Sequence, residues 1–168
     1  MKTSALKSWI KDITIALFVV IAITTFIKPT IVHGDSMEPS LHDGDYLLVS
    51  KAAYKISEPK KGDIVIFPVT EEKKLYIKRV VGVPGDVISI EKGVVYINGN
   101  EDTETATLEG YTSGDIKDCV VPAGEIFVMG DNRMNSIDSR EIGTQKISDI
   151  KGVVLFRVWP FNSIDREL

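Results

Sequence analysis

The chain has 168 residues, 43% of them hydrophobic and 26% charged, with a net charge of −4. That length suits one domain with a small appendage; the charge fraction excludes a polytopic membrane protein, and the apolar fraction excludes a disordered chain. A single cysteine, Cys119, excludes an intramolecular disulfide and any cysteine-built zinc or iron–sulfur site, and the acidic balance argues against a nucleic-acid partner.

The charge is unevenly placed. Residues 1–28 carry Lys2, Lys7, Lys11 and Lys28 against Asp12, a net of +3, so the remainder sums to −7. From Ile13 to Ile27 fifteen residues include no charge and only three threonines. As a helix that run spans roughly 22 Å; extended over 9–28 it reaches about 30 Å, the thickness of a bilayer core, if Lys11 and Lys28 snorkel and Trp9 anchors at the interface. The run is apolar all round, unlike the striped helix of a soluble core. Lys28-Pro29-Thr30 follows it rather than an Ala-x-Ala cleavage site, which favours an uncleaved anchor over a removed secretory signal. The organisation expected is a tail at 1–8, an anchor at 9–28 and a folded body at 29–168. The positive-inside rule puts the tail in the cytoplasm and the body outside.

Next comes Gly34-Asp35-Ser36-Met37-Glu38-Pro39. Glycine permits an unusual backbone just before a serine and proline stiffens the exit, so the loop can expose a hydroxyl and aim backbone N–H groups at a developing oxyanion; an ordinary turn has the same composition. His33 and His42 stand too close in sequence to Ser36 to approach it as a triad base.

Beyond the loop the body reads as β. Short β-branched and aromatic runs recur at Tyr46–Val49, Ile64–Val69, Leu75–Val83, Val87–Ile90, Val94–Ile97, Ile126–Met129 and Val153–Trp159, separated by Gly and Pro, which predicts an all-β barrel or sandwich. Within Leu75–Val83 two cations interrupt an apolar strand. Lys78 shares a face with Tyr76 and Val80, Arg79 with Ile77 and Val81. If one face is core, one cation enters apolar surroundings. Burial lowers a lysine pKa, and the neutral amine can take a proton from serine, a part arginine cannot play. A carboxylate pairing with Lys78 is the alternative. Glu91-Lys92-Gly93 is expected to form a three-residue hairpin loop.

Residues 91–122 read as a small inserted β lobe. Glu101, Asp102, Glu104, Glu109, Asp115 and Asp118 against Lys117 give its 101–118 stretch a net of −5. Cys119 is expected to be a buried thiol. After Ile126–Met129 comes Gly130-Asp131-Asn132-Arg133-Met134-Asn135-Ser136-Ile137-Asp138-Ser139-Arg140, nine of whose eleven residues are glycine, polar or charged. Its aspartates and arginines can satisfy one another in a compact network able to orient a lysine, with Ser136 or Ser139 as the hydroxyl that holds the amine. No metal site is expected, because the arginines compete for the carboxylates.

The anchor, Gly34–Pro39, Gly62-Asp63-Ile64-Val65, Tyr76–Asp86 and Gly130–Arg140, in that order, closely resemble the bacterial type I signal peptidases. The resemblance implies a mainly β catalytic domain with a smaller second β region, and a membrane-bound serine endopeptidase that removes signal peptides from exported preproteins after small residues. It implies Ser36 as nucleophile, Lys78 as general base and Ser136 as the hydroxyl bonded to the lysine amine. Asp131, Arg133, Asp138 and Arg140 would brace the site, and no cofactor is implied. Some relatives carry a hydroxyl residue two places before the nucleophile; here Gly34 stands there, so the Ser36 N–H is expected to form most of the oxyanion hole with water or the Gly34 backbone assisting. Met37, Leu41, Tyr76 and Ile77 are candidate pocket walls. The partners expected are signal peptides and the lipid bilayer, with no nucleic acid. The alternatives are a self-cleaving Ser-Lys peptidase of the LexA-like kind and a membrane-tethered β binding module without catalysis.

Overall fold

The computed structural model describes residues 2–69, 74–103, 105 and 111–160. It begins with helix α1 (Lys2–Phe26), of which Lys7–Phe26 is long and apolar enough to cross a bilayer, with a mean hydropathy of 1.9. Leu17, Phe18 and Phe26 on it stand exposed. The chain then passes without a linker into strand β1 (Ile27–Ile31), which pairs antiparallel with β2 (Tyr46–Ser50); the Lys51 N–H donates to the Phe26 carbonyl at this junction (2.9 Å).

The rest is mainly β, as expected. After a helical turn α2 (Ala53–Ile56) come β3 (Ile64–Val69), β4 (Lys74–Gly82), β5 (Val87–Glu91), β6 (Val94–Ile97), β7 (Asn100–Glu101), β8 (Ile116–Val120) and β9 (Glu125–Met129). A second turn, α3 (Ser139–Ile142), precedes β10 (Gln145–Lys146) and β11 (Gly152–Trp159). A seven-stranded antiparallel sheet runs β1-β2-β11-β3-β4-β9-β10, and a four-stranded sheet runs β7-β6-β5-β8. The second sheet begins at Val87, ahead of the stretch 91–122 read as the lobe. Glu104 and Glu109 of the acidic stretch lie outside the described residues.

The strands that read as continuous apolar runs are those buried on both faces. In β3, Val65 and Phe67 enter one cluster with Val80, Ile126 and Val128, while Ile64 and Ile66 enter another with Val32, Met37, Leu41 and Leu47. In β9, Phe127 and Met129 point the other way from Ile126 and Val128, joining Val81 to Ile88, Ile90 and Val95 of the lobe. The large sheet thus serves as a partition, with the segment bearing Met37 and Leu41 on one side and the lobe docked through apolar contacts.

The β5–β6 hairpin departs from the expected three-residue loop. Glu91 pairs with Val94, leaving Lys92-Gly93 as a two-residue turn. Both have positive φ (51° and 85°), the primed geometry that matches strand twist. Cys119 is half-buried rather than buried: β8 is an edge strand of the small sheet, so only its inner side is covered.

Candidate active site

Ser36 lies in the turn between β1 and β2. Met37 and Leu41 point inward from this segment and are 1% and 0% exposed, and the Leu41 N–H closes the turn onto the Met37 carbonyl (2.9 Å). These two apolar plugs fix the segment while leaving Ser36 at the surface of a cleft. Met37 borders that cleft as well; Leu41 does not, because its side chain is spent in the core beneath the turn.

From the other side, the 130–140 loop grips the segment. Asn132 N–H donates to the Ser36 carbonyl (3.1 Å), and the side-chain amides of Asn132 and Asn135 donate to the Asp35 carbonyl (3.3 Å) and carboxylate (3.1 Å). Sequence reasoning passed over both asparagines, because an amide's partner is set by tertiary placement.

Lys78 and Arg79 of β4 are both buried, and they are treated differently. Arg79 makes a bidentate pair with Asp131 (2.8 and 2.6 Å) and also donates to the Gly62 carbonyl (3.0 Å) and Ser40 Oγ (3.3 Å). Lys78, 3% exposed, forms no ion pair among the described residues. Its Nζ lies 2.7 Å from Ser36 Oγ, to which it donates, and 5.1 Å from the centre of the Tyr76 ring. Burial pushes the lysine pKa down from 10.5 to about 8, against the pull of Asp138 and Asp131 and with help from Arg140. An amine of that pKa is available in its neutral form near physiological pH.

The loop that supplies Asp131 and Asp138 is a charge network. Burial pushes the Asp138 carboxyl up, but its bidentate bond to Arg140 (2.8 and 2.8 Å) and the Gly130 N–H (2.9 Å) more than reverse this, so it stays below the ordinary carboxylate range. Arg133 donates to the Gly130 carbonyl (3.1 Å); burial lowers its pKa, opposed by Asp131 and Asp102. Asp131 turns away from Arg133 to hold Arg79 instead, a pairing across 52 positions.

Two expected contacts take another form. Ser136 Oγ is buried against Gly130 and bears on Asp138, whose pKa it helps to lower; it makes no hydrogen bond to the Lys78 amine. The Gly34 N–H donates to Asp43 Oδ1 (2.8 Å) and is therefore engaged, whereas the Ser36 N–H has no acceptor among the described residues. Gly130 is crowded for the same reason that Ser136 is enclosed. A Cβ there would meet Ser136 Oγ at 2.2 Å and the Ser36 carbonyl oxygen at 2.4 Å. Gly130→Ala must displace the Ser36 backbone, and we expect it to lose about 2 kcal/mol of stability and at least about tenfold in turnover, read by thermal melting and by cleavage kinetics.

Ser36 and Lys78 open on a cleft of about 610 Å³ lined by Thr30–Met37, Ile66, Lys74–Lys78 and Asn135–Ile137. Tyr76 and Ile77 are in that lining. Its walls are mostly apolar, and the C-terminal end of β1, Thr30 and Ile31, contributes to them. Among the described residues no group of His, Cys, Asp and Glu is arranged to hold a metal ion.

The family model described as signal peptidase, peptidase S26, matches residues 6–159. Signal peptidase I of Bacillus licheniformis is 38% identical over 174 aligned residues, covering 97% of this chain and 94% of that protein. Signal peptidase I T of Bacillus subtilis (strain 168) is also 38% identical, covering 97% and 90%. The crystal structure of a signal peptidase I from Enterococcus faecalis V583 superposes with a TM-score of 0.50 at 31% identity, covering 58% of this chain and 97% of that one.

Proposed function

The chain belongs to the signal peptidase family, peptidase S26, and from its function as a serine peptidase that removes signal peptides we propose that Ser36 is the nucleophile and Lys78 the general base. The observation that carries the assignment is the 2.7 Å contact between Lys78 Nζ and Ser36 Oγ at a buried lysine. In the neutral form the same contact carries the serine proton to nitrogen. Ser36 Oγ then attacks the scissile carbonyl, the Ser36 N–H receives the developing oxyanion, and the lysine returns its proton to the leaving amine. A water activated by Lys78 releases the acyl-enzyme.

Asp131, Arg133, Asp138 and Arg140 brace the site through the contacts above. Ser136 stands beside them and lines the same cleft as Lys78, the hydroxyl of this reading that orients the amine. Met37, Tyr76 and Ile77 form walls suited to small side chains next to the cut bond, while Leu41 supports them from beneath. The substrate is the cleavage region of an exported preprotein's signal peptide. The chain is anchored in the lipid bilayer through 9–28, with 1–8 cytoplasmic and the body at 29–168 extracytoplasmic; the lysines before the apolar run support that orientation. Ser36 lies ten positions after Phe26, at most about 35 Å of chain. Nucleophile and membrane-held substrate are thus confined together, which raises effective concentration. Nucleic acid has no part in this reading.

Two measurements test it. Detergent-solubilised protein is expected to cleave a preprotein in trans and Ser36→Ala is not; self-cleavage alone would favour the LexA-like alternative, and no cleavage by wild type the binding module. Because the lysine acts as the free amine, kcat/KM is expected to rise with pH through a midpoint near 8 and then level. A profile flat between pH 6 and 10 would remove Lys78 as the base.

A further inference from the structure

The lobe reaches back to the 130–140 loop through the Thr105 carbonyl, which accepts from Arg133 Nη2 (2.5 Å), and through the side chains of one short stretch, residues 111–113. Its own hairpin pins that stretch: the Tyr111 ring covers Gly93, where an added Cβ would come 2.3 Å from it, and the Thr112 N–H donates to the Gly93 carbonyl (2.8 Å). Outward, Thr112 Oγ1 accepts from Arg133 Nη1 (3.3 Å). Ser113 Oγ donates to the Arg133 carbonyl (2.9 Å) and accepts from Arg140 Nη1 (2.9 Å), which also reaches the Ser113 carbonyl (3.0 Å). Thr112 and Arg133 are 4% and 2% exposed, so little of this junction is open to competing water.

The two arginines are the residues that hold the loop under Ser36. Arg133 fixes the Gly130 carbonyl; Arg140 fixes Asp138, whose Oδ2 accepts from both Arg140 Nη2 and the Gly130 N–H. Gly130 in turn lies against the Ser36 carbonyl. Direct contacts therefore run from Ser113 through Arg140, Asp138 and Gly130 to the nucleophile's backbone. Docking alone does not require them, since Val81, Phe127 and Met129 already bury against Ile88, Ile90 and Val95 of the lobe. Apolar contacts are non-directional, whereas hydrogen bonds to a guanidinium fix an orientation.

We propose that Thr112 and Ser113 are positioning residues for the cleavage reaction: through Arg133 and Arg140 the lobe sets where the 130–140 loop holds Ser36. The proposal rests on the assignment of Ser36 and Lys78 above and requires no contact between lobe and substrate.

The test uses the full chain in detergent, with Ser113→Ala, Ser113→Thr, Thr112→Val and Ser36→Ala assayed on one preprotein beside wild type, and melting temperatures taken on the same preparations. Thr112→Val keeps the side-chain shape and loses only the hydroxyl, which guards against a variant that fails to fold. The expected result is kcat lowered by about ten- to a hundredfold in Ser113→Ala and Thr112→Val, KM changed by less than about twofold, and most of the rate recovered in Ser113→Thr. The midpoint of the pH–rate profile is expected to move in Ser113→Ala, because Arg140 bears on Lys78. Unchanged kcat in both hydroxyl-deleted variants overturns the proposal. So does a loss of rate that only follows the loss of folded protein, with the pH midpoint unmoved. Cleavage by Ser36→Ala would instead overturn the nucleophile assignment, and this proposal with it, so the two failures are told apart in one experiment.

Discussion

Lys78→Met is expected to abolish preprotein cleavage and, at pH 7, to make the protein harder to unfold. Loss of the base should lower kcat/KM by at least about 10⁴-fold, and Ser36→Ala/Lys78→Met together should lose little more than either alone, since the pair acts as a unit. The stability gain follows from the site's electrostatics. A lysine with a pKa of about 8 in the folded chain and 10.5 when free costs the fold about 3 kcal/mol at pH 7, where it is protonated in both states. Methionine fills similar volume without the charge. Between pH 8 and 10.5 the unfolded chain binds the extra proton, so the wild type's penalty is complete below 8 and fades as pH rises through that window. Thermal melting at pH 7 and pH 10 checks this: the variant's advantage should shrink at the higher pH. A variant melting below wild type at pH 7 would contradict the account. Lys78→Arg keeps a charge that cannot be shed, and is expected to be folded and inactive.

Asp131→Leu is expected to be the most destabilising change at the site. It leaves the Arg79 guanidinium buried with only the Gly62 carbonyl and Ser40 hydroxyl for partners, at a cost of about 3–5 kcal/mol. Arg79→Met/Asp131→Leu should recover most of that loss by removing both charges, while activity stays low because neither side chain then braces the strand bearing Lys78 or the loop beginning at Gly130. Denaturant melts of the singles and the double give the coupling directly. Asp131→Asn, which retains hydrogen-bonding capacity, has a second readout. Asp131 holds the Lys78 pKa up, so removing its charge should carry the pH–rate midpoint below 8; a shift upward would contradict the assignment.

Much of the fold was legible because most strands are either alternating or continuously apolar. Ile64–Val69 and Val94–Ile97 have the bounds expected, and β2, β4, β5, β9 and β11 begin or end within a residue of the expected runs. The strands that went unread have no such pattern. Lys28-Pro29-Thr30 interrupts β1, β8 carries Lys117 and Asp118, and β7 and β10 are two residues each. All are edge strands or sit beside an edge, where one face and one ladder are free and little constraint falls on composition. At the site, Ser36 and Lys78 stood out as a hydroxyl in a glycine-led turn and a cation in an apolar strand. Arg79 stood out equally, but its partner did not.

By itself the sequence determined the class of element and the types of chemical group: an apolar helix, a β body, a serine, a lysine and a polar loop. Those follow from local pattern, which is written in neighbouring residues. The tertiary structure alone decided the pairings. It brought Lys78 to Ser36 across 42 positions and Arg79 to Asp131 across 52, left Ser136 beside Gly130, engaged Gly34 with Asp43, and joined Ser113 to Arg140. The opening net charge of −4 foretold none of these. Hydrogen bonds and ion pairs are decided at a few ångströms and by burial, and both are set only when strands distant in the chain pack into one sheet.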